Sequence, residues 1–267
     1  MNRTILETIV ETKRDEVERA RRARPAAELR RRIAAAPPPR AFRGAVVGPS
    51  EDIRLIAEIK KASPSAGLIR TAFDPVGIAR TYERSGAAAL SVLTDETFFQ
   101  GRLSFVEAVK DAVSLPVLRK DFLIDDYQVL ESRAAGADAI LLIAGILTHG
   151  QIAAWAALAA DLGMTSLVEV HDEAQLQAVR SLVETTPGAI LGINNRDLSA
   201  QSTDLATTER LAGQLPAGTP FVAESGINTR DDVERLHRAG ATALLIGETF
   251  MRAADVGAKA RELFPRG

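Results

Sequence analysis

From residue 53 onward, short apolar runs alternate with longer stretches in which apolar residues recur every three or four positions. The runs are Ile53–Lys60, Ala88–Leu93, Pro116–Arg119, Asp138–Ile143, Ser166–Val170, Ala189–Ile193, Pro220–Ala223 and Ala243–Ile246. Their length and near-continuous apolar character predict parallel strands covered on both faces. Between them, Asp74–Ser85, Leu103–Val113, Asp125–Ala135, Thr148–Leu162, Asp172–Val183, Thr207–Gln214 and Thr229–Ala239 predict helices, and a last one covers Val256–Phe264. Gly86, Gly136 and Gly240 each follow a predicted helix, where a left-handed residue commonly ends it. Eight such units in a chain of this length predict an α/β fold, a closed (β/α)8 barrel, because an open doubly wound sheet usually has fewer strands. No GxGxxG follows the first run, which disfavours a dinucleotide fold.

Ahead of the barrel, residues 2–22 predict an amphipathic helix. Ile5, Ile9, Thr12, Glu16 and Arg19 keep helical spacing, and Leu6, Val10 and Val17 widen the apolar stripe. The run AAAPPPR (34–40) is a helix stop and a stiff connector. The expected organisation is one barrel domain over residues 1–267, of which 1–45 is an N-terminal helical extension.

Composition narrows the function classes. The chain is 46% apolar with a formal net charge of −2, so a large core is available and a polyanionic partner is not indicated. Arginines at 19, 21, 22, 24 and 30–32 are interleaved with acids and lack aromatic neighbours, so they read as solvated helix faces, not a nucleic-acid patch. Cysteine is absent, which excludes disulfides, thiolate catalysis and cysteine-ligated metals. The histidines at 149, 171 and 237 have no mutual ligand spacing and read as surface residues, so no metal site is expected. Trp155, on an alanine-rich helix, reads as packing. No apolar run spans a membrane and the N-terminus is not signal-like, so a cytoplasmic protein is expected. Only Lys13, Lys60, Lys61, Lys110, Lys120 and Lys259 are lysines among 33 basic residues. Two of them fall at predicted strand ends, where an amine can serve as a titratable acid and a guanidinium cannot.

In a barrel of this kind the site lies at the C-terminal strand ends. Those ends carry Glu58 and Lys60, Lys120, Glu169, Asn194 with Arg196, Glu224 with Ser225, and Gly247. One charged residue there would be unremarkable, but several on strands that converge at one mouth amount to a site. Ser225-Gly226 and Gly247-Glu248 follow the seventh and eighth strands, the usual position of a phosphate grip, and Ser63 in the first loop adds a hydroxyl.

These strings resemble one family, indole-3-glycerol-phosphate synthase of tryptophan biosynthesis. AEIKKASPS (57–65), LRKDF (118–122), LVEV (167–170), GINNRDL (192–198), ESGI (224–227) and LLIGE (244–248) occur in family order, after an opening helix that also matches. The resemblance implies ring closure of 1-(2-carboxyphenylamino)-1-deoxyribulose 5-phosphate with loss of carbon dioxide and water, without cofactor or metal. It implies that Lys120 is the general acid of ring closure, its ammonium weakened by burial among other cations, and that Glu169 is the acid/base of the dehydration. Lys60 would pair with the substrate carboxylate and is a second candidate for the dehydration acid, with Glu58 orienting it. Asn194, Arg196 and Glu224 would hold the reacting part of the substrate, and Phe122, Phe99, Pro64 and Leu245 would enclose its aromatic ring. Ser63, Ser225, Gly226, Gly247 and Glu248 would take the phosphate. The expected partner is a small phosphorylated molecule, with no nucleic acid or membrane. A monomer is expected, association with other tryptophan-pathway enzymes being left open. Alternatives on the same barrel are a phosphosugar isomerase, an aldolase with Lys120 as Schiff base, or a non-catalytic phosphometabolite binder.

Overall fold

The computed structural model describes residues 4–48, 52–197 and 202–265. Among them, eight parallel strands close into a barrel: β1 (Arg54–Ile59), β2 (Ala89–Leu93), β3 (Val117–Lys120), β4 (Ala139–Ile143), β5 (Thr165–Val170), β6 (Ala189–Asn194), β7 (Phe221–Glu224) and β8 (Ala243–Ile246). Each strand pairs with its neighbours in sequence, and β1 pairs with β8 to close the ring. The expected strands are all present, with ends shifted by a residue or so. Residues 2–3 of the expected first helix and Leu198 of the GINNRDL string lie outside the described residues.

The period of two along each strand sorts the apolar residues into two layers. Ile56, Leu118, Leu141, Leu167, Ile190, Val222 and Leu245 fill the barrel interior, while alternate residues such as Leu55, Leu90, Ile140, Val168 and Leu191 meet the helices outside. Burying a side chain of that size stabilises by about 1.5–3 kcal/mol, and the two layers contain most of the large aliphatic residues of the strands. The outer helices are α4 (Pro75–Arg84), α5 (Leu103–Ala112), α6 (Asp126–Ala134), α7 (His149–Asp161), α8 (Glu173–Thr185), α9 (Ala206–Ala212), α10 (Arg230–Arg238), the short α11 (Glu248–Arg252) and α12 (Val256–Leu263). Asp74, Asp125, Thr148, Asp172 and Thr229 cap α4, α6, α7, α8 and α10 through their side-chain oxygens. Gly86, Gly136 and Gly240 have φ of 92°, 87° and 97°, the left-handed stop expected of them. Trp155 is buried in the outer core, as expected of a packing residue.

The N-terminal segment forms three helices: α1 (Ile5–Ala23), close to the expected 2–22, then α2 (Ala26–Ala35), which stops in the expected AAAPPPR run, and α3 (Phe42–Val46). Pro25 divides the first two, since it lacks the N–H that a continuous helix would need there. The buried stripe of α1 is Ile9, Lys13 and Val17, rotated from the expected face, which placed Thr12 and Glu16 on it. Val17 and Leu29 pack with Tyr127 and Leu130 of α6, holding α1 and α2 to the barrel wall. The Tyr127 hydroxyl lies 3.0 and 2.9 Å from the carbonyls of Ala20 and Arg24 at the end of α1. In α3, Phe42 and Val46 join the interior cluster and fill the barrel end opposite the strand C-termini. The described residues contain no helix long and apolar enough to cross a membrane.

Candidate active site

A cavity of about 370 Å³ opens at the C-terminal mouth of the barrel, within the range of metabolite pockets. Every residue assigned to the site from sequence lines it: Glu58, Lys60, Ser63, Pro64, Phe99, Lys120, Phe122, Glu169, Asn194, Arg196, Glu224, Ser225, Gly226, Leu245, Gly247 and Glu248. The convergence follows from strand parity. Inward positions of alternate strands share one layer of such a barrel, and Glu58, Lys120, Glu169 and Glu224 come from β1, β3, β5 and β7. The uppermost layer of the barrel is therefore three carboxylates and an ammonium.

Lys120 Nζ donates to Glu169 Oε2 at 2.7 Å and to Glu224 Oε2 at 2.9 Å. Burial on its own would weaken this ammonium, but the nearby charges of Glu169, Glu224 and Glu58 outweigh it and hold the pKa above its ordinary value. The expectation that neighbouring cations lower this pKa is therefore corrected: the neighbours are carboxylates. Lys60, from the loop after β1, sits 2.8 Å from Glu58 Oε1.

The two carboxylates on Lys120 differ. Burial raises Glu169, but Lys120 on one oxygen and His171 on the other outweigh this and hold it below the usual carboxylate range. Glu224 has the lysine alone; burial, with Glu169 and Glu58 adding repulsion, pushes it up to about 7. Its Oε1 is buried without a hydrogen-bond partner. Of the three carboxylates, Glu224 is the one that burial and its acidic neighbours dispose to hold a proton. The layer therefore holds a strong cation, a firmly ionised carboxylate and a carboxyl poised near neutrality.

Two glycines leave room for these side chains. A Cβ at Gly247 would fall 2.2 Å from Glu58 Oε1, and one at Gly192 would fall 2.8 Å from Glu224 Oε1. Gly247 thus has a packing role besides the backbone role expected of it. At the end of β7, Ser225 and Gly226 have φ of 69° and 79° and turn the chain sharply. That conformation is strained for serine, and Asn195 holds it by donating from Nδ2 to the Ser225 carbonyl at 3.1 Å.

Arg196 bridges two loops, donating to the Ser65 hydroxyl at 2.6 Å and to Glu248 Oε2 at 3.4 Å. Its backbone N–H is fixed by the Asn194 side-chain oxygen at 3.0 Å. The Ser63 hydroxyl already accepts from the Ala66 N–H at 3.2 Å. Phe99 and Phe122 form one wall, with ring centroids 6.0 Å apart and tilted by 42°. Ile5, Leu6 and Ile9 of α1 also line the cavity, so the extension is part of the mouth.

Two participants escaped the sequence reading. Lys13, on the buried stripe of α1, is paired with Glu16 at 2.5 Å and with Asp95 and Asp121 at 2.9 Å each. A lysine on an apolar stripe of an arginine-rich chain was the available signal. His171 was read as a surface residue, yet it is mostly buried and its Nε2 lies 3.2 Å from Glu169 Oε1. Its place two residues after Glu169 was the only hint. Among the described residues, no group of three His, Cys, Asp or Glu side chains is placed to hold a metal ion.

Comparisons with known proteins agree with this geometry. The family model described as "Indole-3-glycerol phosphate synthase" matches residues 6–263. A relative of that name from Rhodospirillum rubrum is 50% identical over 261 residues, covering 97% of this chain and 98% of the relative. Another, from Roseiflexus castenholzii, is 48% identical over 269 residues with the same coverage. Among solved structures, a tryptophan synthase α-subunit variant from Pyrococcus furiosus superposes with a TM-score of 0.60 at 14% identity, covering 80% of this chain and 98% of that one. A 3-hexulose-6-phosphate synthase does so with 0.60 at 20% identity, covering 79% and 98%. At these identities the two structures speak for the barrel alone. The whole-length match at half identity does more, and by it the chain belongs to the indole-3-glycerol phosphate synthase family.

Proposed function

We propose that the mouth of this barrel closes the indole ring of 1-(2-carboxyphenylamino)-1-deoxyribulose 5-phosphate, with Lys120 as the general acid. The chain is a carboxy-lyase of the tryptophan pathway, and the observation that carries the residue assignment is the Lys120 ammonium held between Glu169 and Glu224. As the aryl carbon attacks the ketose carbonyl, that oxygen becomes an alkoxide, a stronger base than any lysine amine. It therefore takes the proton from Lys120 even though the resting ammonium is held firmly. Glu169 and Glu224 stay in place and stabilise the cation until transfer occurs. Carbon dioxide then leaves and the aromatic ring is restored.

Dehydration needs a proton on the departing hydroxyl and a base for the neighbouring carbon. Glu169, ionised and fixed on both oxygens, suits the base, and Lys60, beside Glu58, suits the acid. Lys60 also meets the substrate carboxylate on entry. Asn194, Arg196 and Glu224 hold the polar centre of the substrate, while Phe99, Phe122, Pro64 and Leu245 press the anthranilate ring toward the carbonyl. The phosphate lies against Ser63, Ser225, Gly226 and Gly247 and the amide of Glu248. Loss of carbon dioxide and water involves no net redox change, so acids and bases suffice. Residues 1–45 act as an extension of one domain with the barrel, in a monomeric cytoplasmic protein.

The test is turnover of that substrate by the purified chain, without added metal or cofactor, followed by indole fluorescence and carbon dioxide release. A rising signal is expected; binding without turnover would leave the grip and remove the chemistry. Gly247→Ala checks the packing of the acid layer. Its methyl group must displace the Glu58 carboxylate and with it Lys60, so kcat/KM is expected to fall roughly 10²-fold, the effect of an ångström-scale misplacement. An unchanged kcat/KM would show that the Glu58–Lys60 pair is not needed where it stands.

A further inference from the structure

His171 follows β5 directly and has no part in the chemistry above, yet its Nδ1 is hydrogen-bonded and its buried Nε2, which has no hydrogen bond in good geometry, lies at ion-pair distance from a carboxylate. Nε2 lies 3.2 Å from Glu169 Oε1, the oxygen that Lys120 leaves free. Nδ1 lies 3.3 Å from Gln175 Oε1 on α8. The orientation of that amide is set independently of the ring. Gln175 Oε1 faces the backbone N–H of His171 at 3.0 Å, a group that can only donate, and Gln175 Nε2 donates to Asp172 Oδ2 at 3.1 Å. Nδ1 therefore faces an acceptor and carries a hydrogen.

A neutral imidazole with its hydrogen on Nδ1 would turn a bare lone pair at the Glu169 carboxylate. A doubly protonated ring keeps the Nδ1 hydrogen bond and turns the 3.2 Å contact of Nε2 with Glu169 into an ion pair. We infer that His171 is a positioning residue that acts through Glu169, presenting an imidazolium to the carboxylate oxygen not used by Lys120. Glu169 is then clamped between two cations, which keeps it ionised and fixes its plane relative to the lysine.

The surrounding charges favour this arrangement. Glu169 and Glu224 attract the imidazolium from β5 and β7, and Lys120 from β3 opposes it from the far side of Glu169. At the start of α8, the Asp172 carboxylate is engaged by Gln175, and Glu173 is turned to Arg210 at 2.9 Å. Burial works against the charged ring, but the contacts with Glu169 and Gln175 outweigh it.

This inference rests on the acid/base role given to Glu169, so its test includes a readout that needs no turnover. The chain has only three histidines, and ring-nitrogen NMR of the intact protein can follow all of them. His171 is expected to be doubly protonated at pH 7 and to lose its proton only above the ordinary histidine range. In Glu169→Gln its midpoint should fall toward the ordinary histidine range. A singly protonated His171 at pH 7 in the wild-type protein would overturn the inference, whatever the enzyme turns over.

Kinetics supply the second arm. In His171→Leu, kcat should fall roughly tenfold, as for loss of one close charge contact at Glu169, with KM within about twofold. The acid limb of the kcat profile should move up by about one pH unit, because Glu169 has lost a cation. His171→Asn, which keeps a donor but no charge, should recover rate without restoring the limb. Gln175→Leu, which leaves the mouth untouched, should shift the limb in the same direction. An unmoved limb in both His171→Leu and Gln175→Leu would reduce His171 to a packing residue.

Discussion

Lys120→Ala is expected to lower kcat by at least ~10²-fold, within the range for loss of a general acid. The variant should still bind substrate, because the phosphate grip draws on other loops. The loss has two sources. The proton donor disappears, and Glu169 and Glu224, both within 3 Å of the missing ammonium, are left facing each other. Their repulsion would drive a proton onto one of them, with Glu224 already poised to take it. Lys120→Arg separates these effects. A guanidinium preserves the charge between the two glutamates but does not give up its proton at working pH, so its kcat should stay close to that of the alanine variant. Steady-state kinetics with calorimetric binding of the substrate checks both. If Lys120→Arg recovers most of the rate, the lysine serves as a charge and not as an acid.

The largest stability effect is expected at Lys13. Its ammonium is almost fully buried against three carboxylates, and Asp121 sits between Lys120 and Phe122 in the chain. Lys13→Met keeps the stem but leaves Asp95 and Asp121 buried without that cation, at a cost of about 3–5 kcal/mol. Arg119 still pairs with the other oxygen of Asp121 at 3.0 Å, so the injury centres on Asp95 and on the hold of α1. Because Ile5, Leu6 and Ile9 line the cavity, kcat/KM should fall alongside stability. The sign of the pH dependence follows from Asp121, which burial would raise but which Lys13 and Arg119 hold below its ordinary range. Such a group stabilises the fold above its unfolded pKa, and the contribution is lost as pH falls toward the folded value. The gap between wild type and Lys13→Met in urea denaturation should therefore be full at pH 7 and narrow as pH falls below about 4, the unfolded carboxylate value. A gap that stays constant over that range would mean that lost packing, not unpaired charge, weakens the variant.

Much of the barrel was legible because parallel strands covered on both faces read as bare apolar runs, and glycines mark the helix ends. Gly86, Gly136 and Gly240 gave both the stops and the conformations that the structure contains. Strand-end chemistry was legible for the same reason: Glu58, Lys120, Glu169 and Glu224 interrupt apolar runs where burial disfavours charge. What one strand cannot display is the identity of its neighbours across the barrel. Lys120 was expected among cations, and only the parity of the strands places it among glutamates. Lys13 was missed because Asp95 and Asp121 are distant in sequence, and His171 because nothing local shows that its ring turns back to Glu169. His171 precedes Asp172 and Glu173, a helix cap that looks solvated when read locally. The end of the first helix was legible to within a residue of Ala23, while the five-residue α3 was not, because it is too short to show a helical period.

The most direct test of this account is the structure of Lys120→Met with 1-(2-carboxyphenylamino)-1-deoxyribulose 5-phosphate bound, since that variant should bind without closing the ring. The account predicts the ketose carbonyl turned toward position 120, between Glu169 and Glu224. It places the anthranilate carboxylate near Lys60 and the phosphate against Ser225, Gly226 and the Gly247–Glu248 turn. A phosphate held elsewhere, or a carbonyl facing away from position 120, would contradict the assignment of Lys120 as the acid of ring closure.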